Sequence, residues 1–190
     1  RGAAGTQPIL GVGIGMAGVM DYRREVVRYA TYYGWENLPL AALLEDQLDL
    51  PVVLDNDVNA LAVAEHWFGA GRGVADFLAL SIGRGVGLGM ILNGRLYRGS
   101  AGGAGEFGHT VVKPDGPLCA CGKRGCLEAL ISDSALMQQA ATVLGRPVSA
   151  EEMVQLGLRG DGQMAAIYAQ AAETLGVAVA NLVNVLNPAL

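Results

Sequence analysis

Residues 8–20, PILGVGIGMAGVM, interleave glycine with apolar side chains, the pattern of a buried strand that runs into a loop. Residues 38–48, LPLAALLEDQL, predict a helix, with Pro39 suited to its first turn. The run LPVVLDND reads as a short apolar strand ending in a polar triplet, and VNALAVAEHWFGA continues it as a helix. Residues 77–97 predict a hairpin, because Asn93-Gly94 sits between two apolar runs. Within that stretch Gly83, Gly85, Gly87 and Gly89 recur at every second position, so one strand face is bare of side chains. Residues 100–106, SAGGAGE, predict a flexible loop, and residues 127–144 a helix. Ser149 with Glu152 predicts a capping box at the start of another helix. After a break at Gly160-Asp161-Gly162, residues 164–186 predict a long, alanine-rich apolar helix that ends at Asn187-Pro188. There is no internal repeat.

This layout puts Asp55, Asn56 and Asp57 at the C-terminal end of a strand and the N-terminus of a helix, where ligands collect in α/β sheets. The simpler role for Asn56 or Asp57 is a helix cap, but one residue suffices for that. The bare glycine face permits close approach of a ligand, and backbone N–H groups in such loops suit phosphate. A tightly packed strand with no ligand explains the same glycines. Gly13, Gly15 and Gly18 form a GxGxxG, a weak dinucleotide signal here because no apolar helix face follows. Close packing and a tight turn are the preferred reading.

Composition narrows the classes. The 190 residues are 52% hydrophobic and 16% charged, which excludes general disorder. The net charge of -5, with no lysine or arginine run, argues against nucleic-acid binding by these residues. No uninterrupted apolar stretch reaches membrane-spanning length. The best candidate, residues 175–186, is broken by Asn181 and Asn184 and is expected to be a buried helix, so no membrane partner is expected. Nothing at the N-terminus resembles a signal peptide, and the expected location is cytoplasmic.

The densest chemistry lies between Glu106 and Glu128. His109 is followed after nine residues by Cys119, after one more by Cys121, and after four more by Cys126, which are all the cysteines of the chain. An odd count excludes a full disulfide framework. Clustered thiols in a reducing compartment are more often metal ligands or redox groups than bridges. Three thiolates and an imidazole complete a tetrahedral zinc set with no position left for water, so the zinc is expected to be structural. Gly116, Pro117, Gly122 and Gly125 let the loop double back, and Lys123 and Arg124 supply charge that favours thiolates. Incidental buried thiols are the plainer alternative. The loop-borne polar groups Asn56, Asp57, Glu106, His109 and Glu128 together offer the mixed donors and acceptors that a polyhydroxyl ligand needs. An aspartate among them suits a general base toward a hydroxyl attacking a phosphoryl group.

The segments GVGIGMAGVMD, GWENLPL, LPVVLDNDVNALAVAE, LSIGRGVGLGMILNGRLYRGSAGGAGEFGH and CACGKRGCLE resemble the ROK family of sugar-responsive transcriptional repressors and bacterial sugar kinases. The ExGH and CxCGxxGCxE boxes, in this order, carry most of that specificity. The resemblance implies an α/β, actin-like, hexokinase-type ATPase (ribonuclease H-like) fold. It implies zinc on His109, Cys119, Cys121 and Cys126, and sugar contacts from Asn56, Asp57, Glu106, His109 and Glu128. In the kinase branch the residue matching Asp57 is the catalytic base, and His109 can serve both roles through its two ring nitrogens. The family's Asp-Gly-Gly phosphate loop, the repressors' winged helix-turn-helix and the later glycine pair of the nucleotide site have no match here. The expectation is a fragment, with residues 1–57 the remainder of a first lobe and residues 58–190 a second lobe.

Kinase members usually read Gly-Thr-Gly where this chain reads Gly83-Arg84-Gly85. With Gly87, these are the phosphate-loop positions, and a bulky cation there would intrude on phosphates and magnesium. The reading favoured is therefore the sugar-sensing portion of a ROK regulator, expected by the resemblance to be a homodimer, which meets DNA only through a module outside this chain. Sugar binding would then shift the angle between the lobes. The alternative is a sugar kinase using ATP and magnesium, with Asp57 as base, and a zinc-braced lobe serving only dimerisation is a third.

Overall fold

The structure, a computed structural model, describes residues 8–190. The chain divides into two compact units, residues 1–75 with 89–104, and residues 76–88 with 105–190. This differs from the expected boundary at 57/58. The helix after Asp57 stays with the strands that precede it, and the chain returns to the first unit for the hairpin.

In the first unit, β1 (Val12–Met16) pairs in parallel with β5 (Val52–Asn56), with Val12 opposite Val52 and Met16 opposite Asn56. The helix α2 (Asp57–Phe68) packs on both strands. Gly15 allows this, since a Cβ there would lie 3.2 Å from that of Ala60. The GxGxxG is thus a packing device: a Cβ on Gly18, at φ +135°, would come within 2.7 Å of the Tyr29 carbonyl oxygen. Between β1 and β5 the chain forms an antiparallel meander of β2 (Val19–Asp21), β3 (Val26–Ala30) and β4 (Trp35–Leu38), then α1 (Leu40–Leu48). The charged run YRREVVRYA did not announce these strands. Their inward residues Met20, Val27 and Ala30 join Met16 in a core that Leu38, Leu40 and Leu54 cover.

The predicted hairpin forms from β7 (Val86–Leu92) and β8 (Arg95–Leu96), with Ile91 opposite Leu96. Asn93 and Gly94 both take positive φ, at 52° and 71°, as a two-residue hairpin turn requires. The alternating glycines need correction. Gly83 to Gly85 form a turn rather than strand, closed by the Gly83 N–H on the Gly85 carbonyl at 2.9 Å. Gly89 is bare for packing: a Cβ there would meet both the Ala62 Cβ and the Val58 carbonyl oxygen at 2.6 Å.

The second unit holds β6 (Phe77–Ile82), the start of β7 and four helices: α3 (Glu128–Ile131), α4 (Asp133–Leu144), α5 (Ala150–Leu158) and α6 (Gly162–Leu186). The helix expected over 127–144 is broken at Ser132. That residue turns extended, at ψ 159°, so that its hydroxyl caps α4 by accepting from the Ala135 N–H. The capping box at α5 is half formed. Ser149 accepts from the Glu152 N–H at 3.1 Å, but the Glu152 side chain turns to Arg146. Met153, Met164, Ile167 and Ala140 make the core where α4, α5 and α6 meet.

The expectation of a buried terminal helix is also corrected. Among the described residues, α6 is long and apolar enough to cross a membrane by length and composition alone. Its buried residues are Met164, Ile167 and Ala178, whereas Val177, Val183 and Val185 are exposed. It packs along one side against α3, α4 and α5. After it, Leu190 accepts from the Leu78 N–H at the start of β6.

Candidate functional site

The second unit brings the cysteines and the histidine together. His109 ends a short 3-10 turn, Phe107–His109, which is closed by its own N–H on the Glu106 carbonyl at 3.0 Å. The chain then runs out and back, with Val111 bridged to Cys126 and Leu118 to Arg124. Two glycines are required here. At Gly125, φ is 68° and a Cβ would lie 1.5 Å from the Lys113 carbonyl oxygen. At Gly122, φ is 87° with open space around the Cβ position.

The four donor atoms of His109, Cys119, Cys121 and Cys126 lie within 4.8 Å of one another. A tetrahedral zinc with ordinary bond lengths needs sulfur atoms about 3.8 Å apart and sulfur to nitrogen about 3.6 Å. Cys121 and Cys126 sulfurs are separated by 3.6 Å, and Cys119 sulfur from His109 Nδ1 by 3.5 Å. The same 3.6 Å is far beyond a disulfide bond, and all three thiols are free. The donor set could therefore hold a metal ion, and its three thiols and one imidazole suit the chemistry of zinc.

The thiols differ in how readily they ionise. Burial, reinforced by the neighbouring Cys121 and Cys119 thiols, pushes Cys126 up to about 12. Burial also raises Cys119. Cys121 is exposed, and its modest burial is outweighed by the Lys123 backbone N–H and the other two thiols, which hold it below its ordinary value. Three thiols this close resist ionising together unless a cation sits among them.

The imidazole divides its two nitrogens. Nδ1 faces Cys119, and Nε2 lies 3.7 Å from the Glu106 carboxylate. Glu128 begins α3 on the other side. One of its oxygens accepts from the Val86 N–H at 2.9 Å, and the other lies 3.9 Å from Nδ1, too long for a hydrogen bond. Thus Glu106, His109 and Glu128 are gathered, and Glu128 also ties to the strand after Gly83-Arg84-Gly85. That turn is pinned from α4, since the Asp133 N–H donates to the Gly83 carbonyl at 2.9 Å.

Asn56 and Asp57 belong to the first unit. Asn56 is the cap of α2: its Oδ1 accepts from the Val58 and Asn59 N–H groups, and its Nδ2 donates to the Gly18 carbonyl. Asp57 opens the helix with an exposed side chain whose Oδ1 accepts from the adjacent Val58 N–H at 3.0 Å. Asp55 has a separate task. Its Oδ1 accepts from the Asn56 N–H and Asn59 Nδ2, and its Oδ2 from Arg98. Sequence reasoning missed Arg98 and the buried Asn59. The one available signal was a cation just before the SAGGAGE loop, 43 residues from its partner Asp55.

A profile of the ROK family matches residues 3–190. A xylose repressor from Caldicellulosiruptor bescii is 36% identical over 193 residues, covering 95% of this chain and 48% of the repressor. A glucokinase from Halalkalibacterium halodurans is 34% identical over 195 residues, covering 95% of this chain and 59% of the kinase. Among solved structures, a ROK family glucokinase from Streptomyces griseus in complex with glucose and AMPPNP superposes with a TM-score of 0.84 at 35% identity, covering 95% of this chain and 64% of that one. The chain thus spans between about half and just under two-thirds of the length of these relatives. The fold, the boxes and the extent of these matches agree: the chain belongs to the ROK family and has its hexokinase-like α/β fold.

Proposed function

We propose that this chain is the sugar-sensing portion of a ROK-family transcriptional regulator. The observation that carries this reading is Arg84. It stands in a closed turn between Gly83 and Gly85, where a bulky cation opposes the magnesium that phosphoryl transfer requires. The kinship with a xylose repressor is in keeping with it, and the kinship with glucokinases leaves sugar binding as the property common to both branches.

Under this reading Glu106, His109 and Glu128 hydrogen-bond sugar hydroxyls, with Asn56 and Asp57 as further contacts. Carboxylates accept from hydroxyls, and His109 Nε2 is left to the ligand once Nδ1 binds metal. The metal is zinc, held by His109, Cys119, Cys121 and Cys126. When bound it supplies folding free energy to the loop, and four protein ligands leave it no position for water. The loop's own residues orient Glu106 and Glu128 on either side of the imidazole. Sugar binding shifts an equilibrium between two conformations, which a DNA-binding module outside the described residues would read in a cytoplasmic homodimer.

The second reading is an ATP- and magnesium-dependent sugar kinase, favoured by Asp57. Its exposed carboxylate at the start of α2 suits a base for a sugar hydroxyl. The deciding experiment gives the full-length natural protein xylose and glucose, with and without ATP and magnesium. A regulator shows sugar-dependent melting, with a rise of about 5–10 °C at a hundredfold excess over Kd, and releases no ADP. Release of ADP that is lost in Asp57→Ala overturns the regulator reading in favour of the kinase.

A further inference from the structure

One guanidinium in the first unit joins three segments of chain. Arg98 donates to Asp55 Oδ2 from both Nε, at 3.0 Å, and Nη2, at 2.5 Å. Its Cζ lies over the Tyr22 ring, 5.6 Å from the centroid, and the Tyr22 hydroxyl donates to the Gly99 carbonyl. Its own carbonyl accepts from the Ala104 N–H at 3.2 Å, which closes the glycine-rich loop that follows. The loop lies close on β2: Gly102 takes φ +79°, and a Cβ there would sit 1.9 Å from the Met20 carbonyl oxygen.

Asp55 is the pivot. Its side chain is 17% exposed and that of Arg98 34%, so the carboxylate is the better shielded of the two. All four donors that reach the carboxylate come from different nitrogens: the Asn56 N–H, Asn59 Nδ2, and the two of Arg98. Asn59 is itself 3% exposed. The carboxylate therefore fixes the peptide that leads into Asn56 and Asp57. Asp57 needs such support, because among the described residues its carboxylate accepts a hydrogen bond only from the neighbouring Val58 N–H.

We propose that Arg98 is a positioning residue, which through Asp55 holds the Asn56-Asp57 turn in register with the loop 99–104. This rests on the sugar-binding reading for its consequence, though not for its geometry. A surface ion pair would do little. Here removal of the cation leaves a shielded carboxylate with two donors fewer, and both the turn and the loop lose a common tether.

The test uses the full-length natural protein as wild type, Arg98→Met, Arg98→Lys, Asp55→Asn and the double variant Asp55→Asn with Arg98→Met. Amide exchange is followed at residues 55–59 and 99–104, with glucose and xylose affinity by calorimetry and Tm alongside. Arg98→Met is expected to speed exchange in both segments together and to weaken sugar binding by about ten-fold. Arg98→Lys recovers part of that affinity, and the double variant is no worse than the worse single. A fall in Tm with sugar affinity within two-fold of wild type, as a merely structural pair would give, overturns the proposal. Should wild type bind neither sugar, the sugar reading fails separately. Coupled exchange in the two segments then still supports the tether, and unchanged exchange in Arg98→Met removes it.

Discussion

Gly125→Ala and Gly122→Ala make a matched pair for the metal loop, because they share one cost and differ in another. Both residues have left-handed backbone, at φ 68° and 87°, where an added Cβ costs about 1–2 kcal/mol. At Gly122 that is the whole effect, since nothing lies within 4 Å of the new atom. At Gly125 the Cβ would fall 1.5 Å from the Lys113 carbonyl oxygen, which is backbone and cannot rotate away. The strands of the loop must part there. The Gly125 carbonyl accepts from the Val112 and Lys113 N–H groups, at 2.9 and 3.1 Å, and the Lys113 carbonyl from Gly116 at 2.8 Å. Losing two of these three bonds adds about 2 kcal/mol. Because Cys126 follows Gly125 directly, the loss falls on the metal-binding conformation. Gly125→Ala should therefore hold zinc about thirty-fold more weakly than Gly122→Ala. Chelator competition with metal content by mass spectrometry measures the ratio. Equal retention in the two variants would refute the reasoning, since the close approach of the two strands would then contribute nothing to the site.

Other outcomes follow from single contacts. Glu128→Gln should weaken sugar binding with zinc content intact; equal loss of both would make Glu128 purely structural. Metal affinity should rise with pH between about 6 and 8, because Cys126, pushed up to about 12, and Cys119, also raised, carry protons that zinc must displace, and acid restores those protons. Calorimetry in buffers of different ionisation enthalpy would show the release, and an affinity flat with pH would contradict it. Gly89→Val should lower Tm by several degrees, since even its Cβ overlaps Ala62 and Val58, and overpacking costs about 1–3 kcal/mol. A Tm unchanged within a degree would mean that α2 yields at no cost.

Much of the fold was legible where one short-range signal sufficed. Asn93-Gly94 set the hairpin and Ser149 capped α5, whereas Asp161, read only as part of a break, proved to cap α6 by accepting from the Gln163 and Met164 N–H groups. The meander was not legible, because β2 and β3 are short and their polar residues hide the alternation. Only long-range packing of Met20 and Val27 against Leu38 and Leu54 settles it. Ser132 shows a similar limit. Helical spacing ran unbroken across 127–144, yet a buried serine stops one helix and caps the next.

The triplet at the end of β5 shows why site chemistry is harder to read than fold. Three adjacent polar residues in sequence suggested a shared ligand role, on the ground that a cap needs only one. In the structure the three tasks separate. Asp55 takes the ion pair with Arg98, Asn56 takes the cap, and only Asp57 presents its carboxylate outward. The cap reading is met at Asn56, whose Oδ1 accepts from the Val58 and Asn59 N–H groups, while the ligand role of Asn56 and Asp57 belongs to the proposal. Asp55 and Asn56 spend most of their hydrogen bonds in fixing the turn, and Asp57 is left at the start of α2 with its carboxylate outward. The same division recurs at the metal loop, where Glu128 commits one oxygen to the Val86 N–H and keeps the other beside His109. In both units a residue of the proposed sugar site leans on a support outside that site. Those supports are long-range partners, 43 residues apart for Arg98 and 42 for Val86, which no local pattern in the sequence can announce.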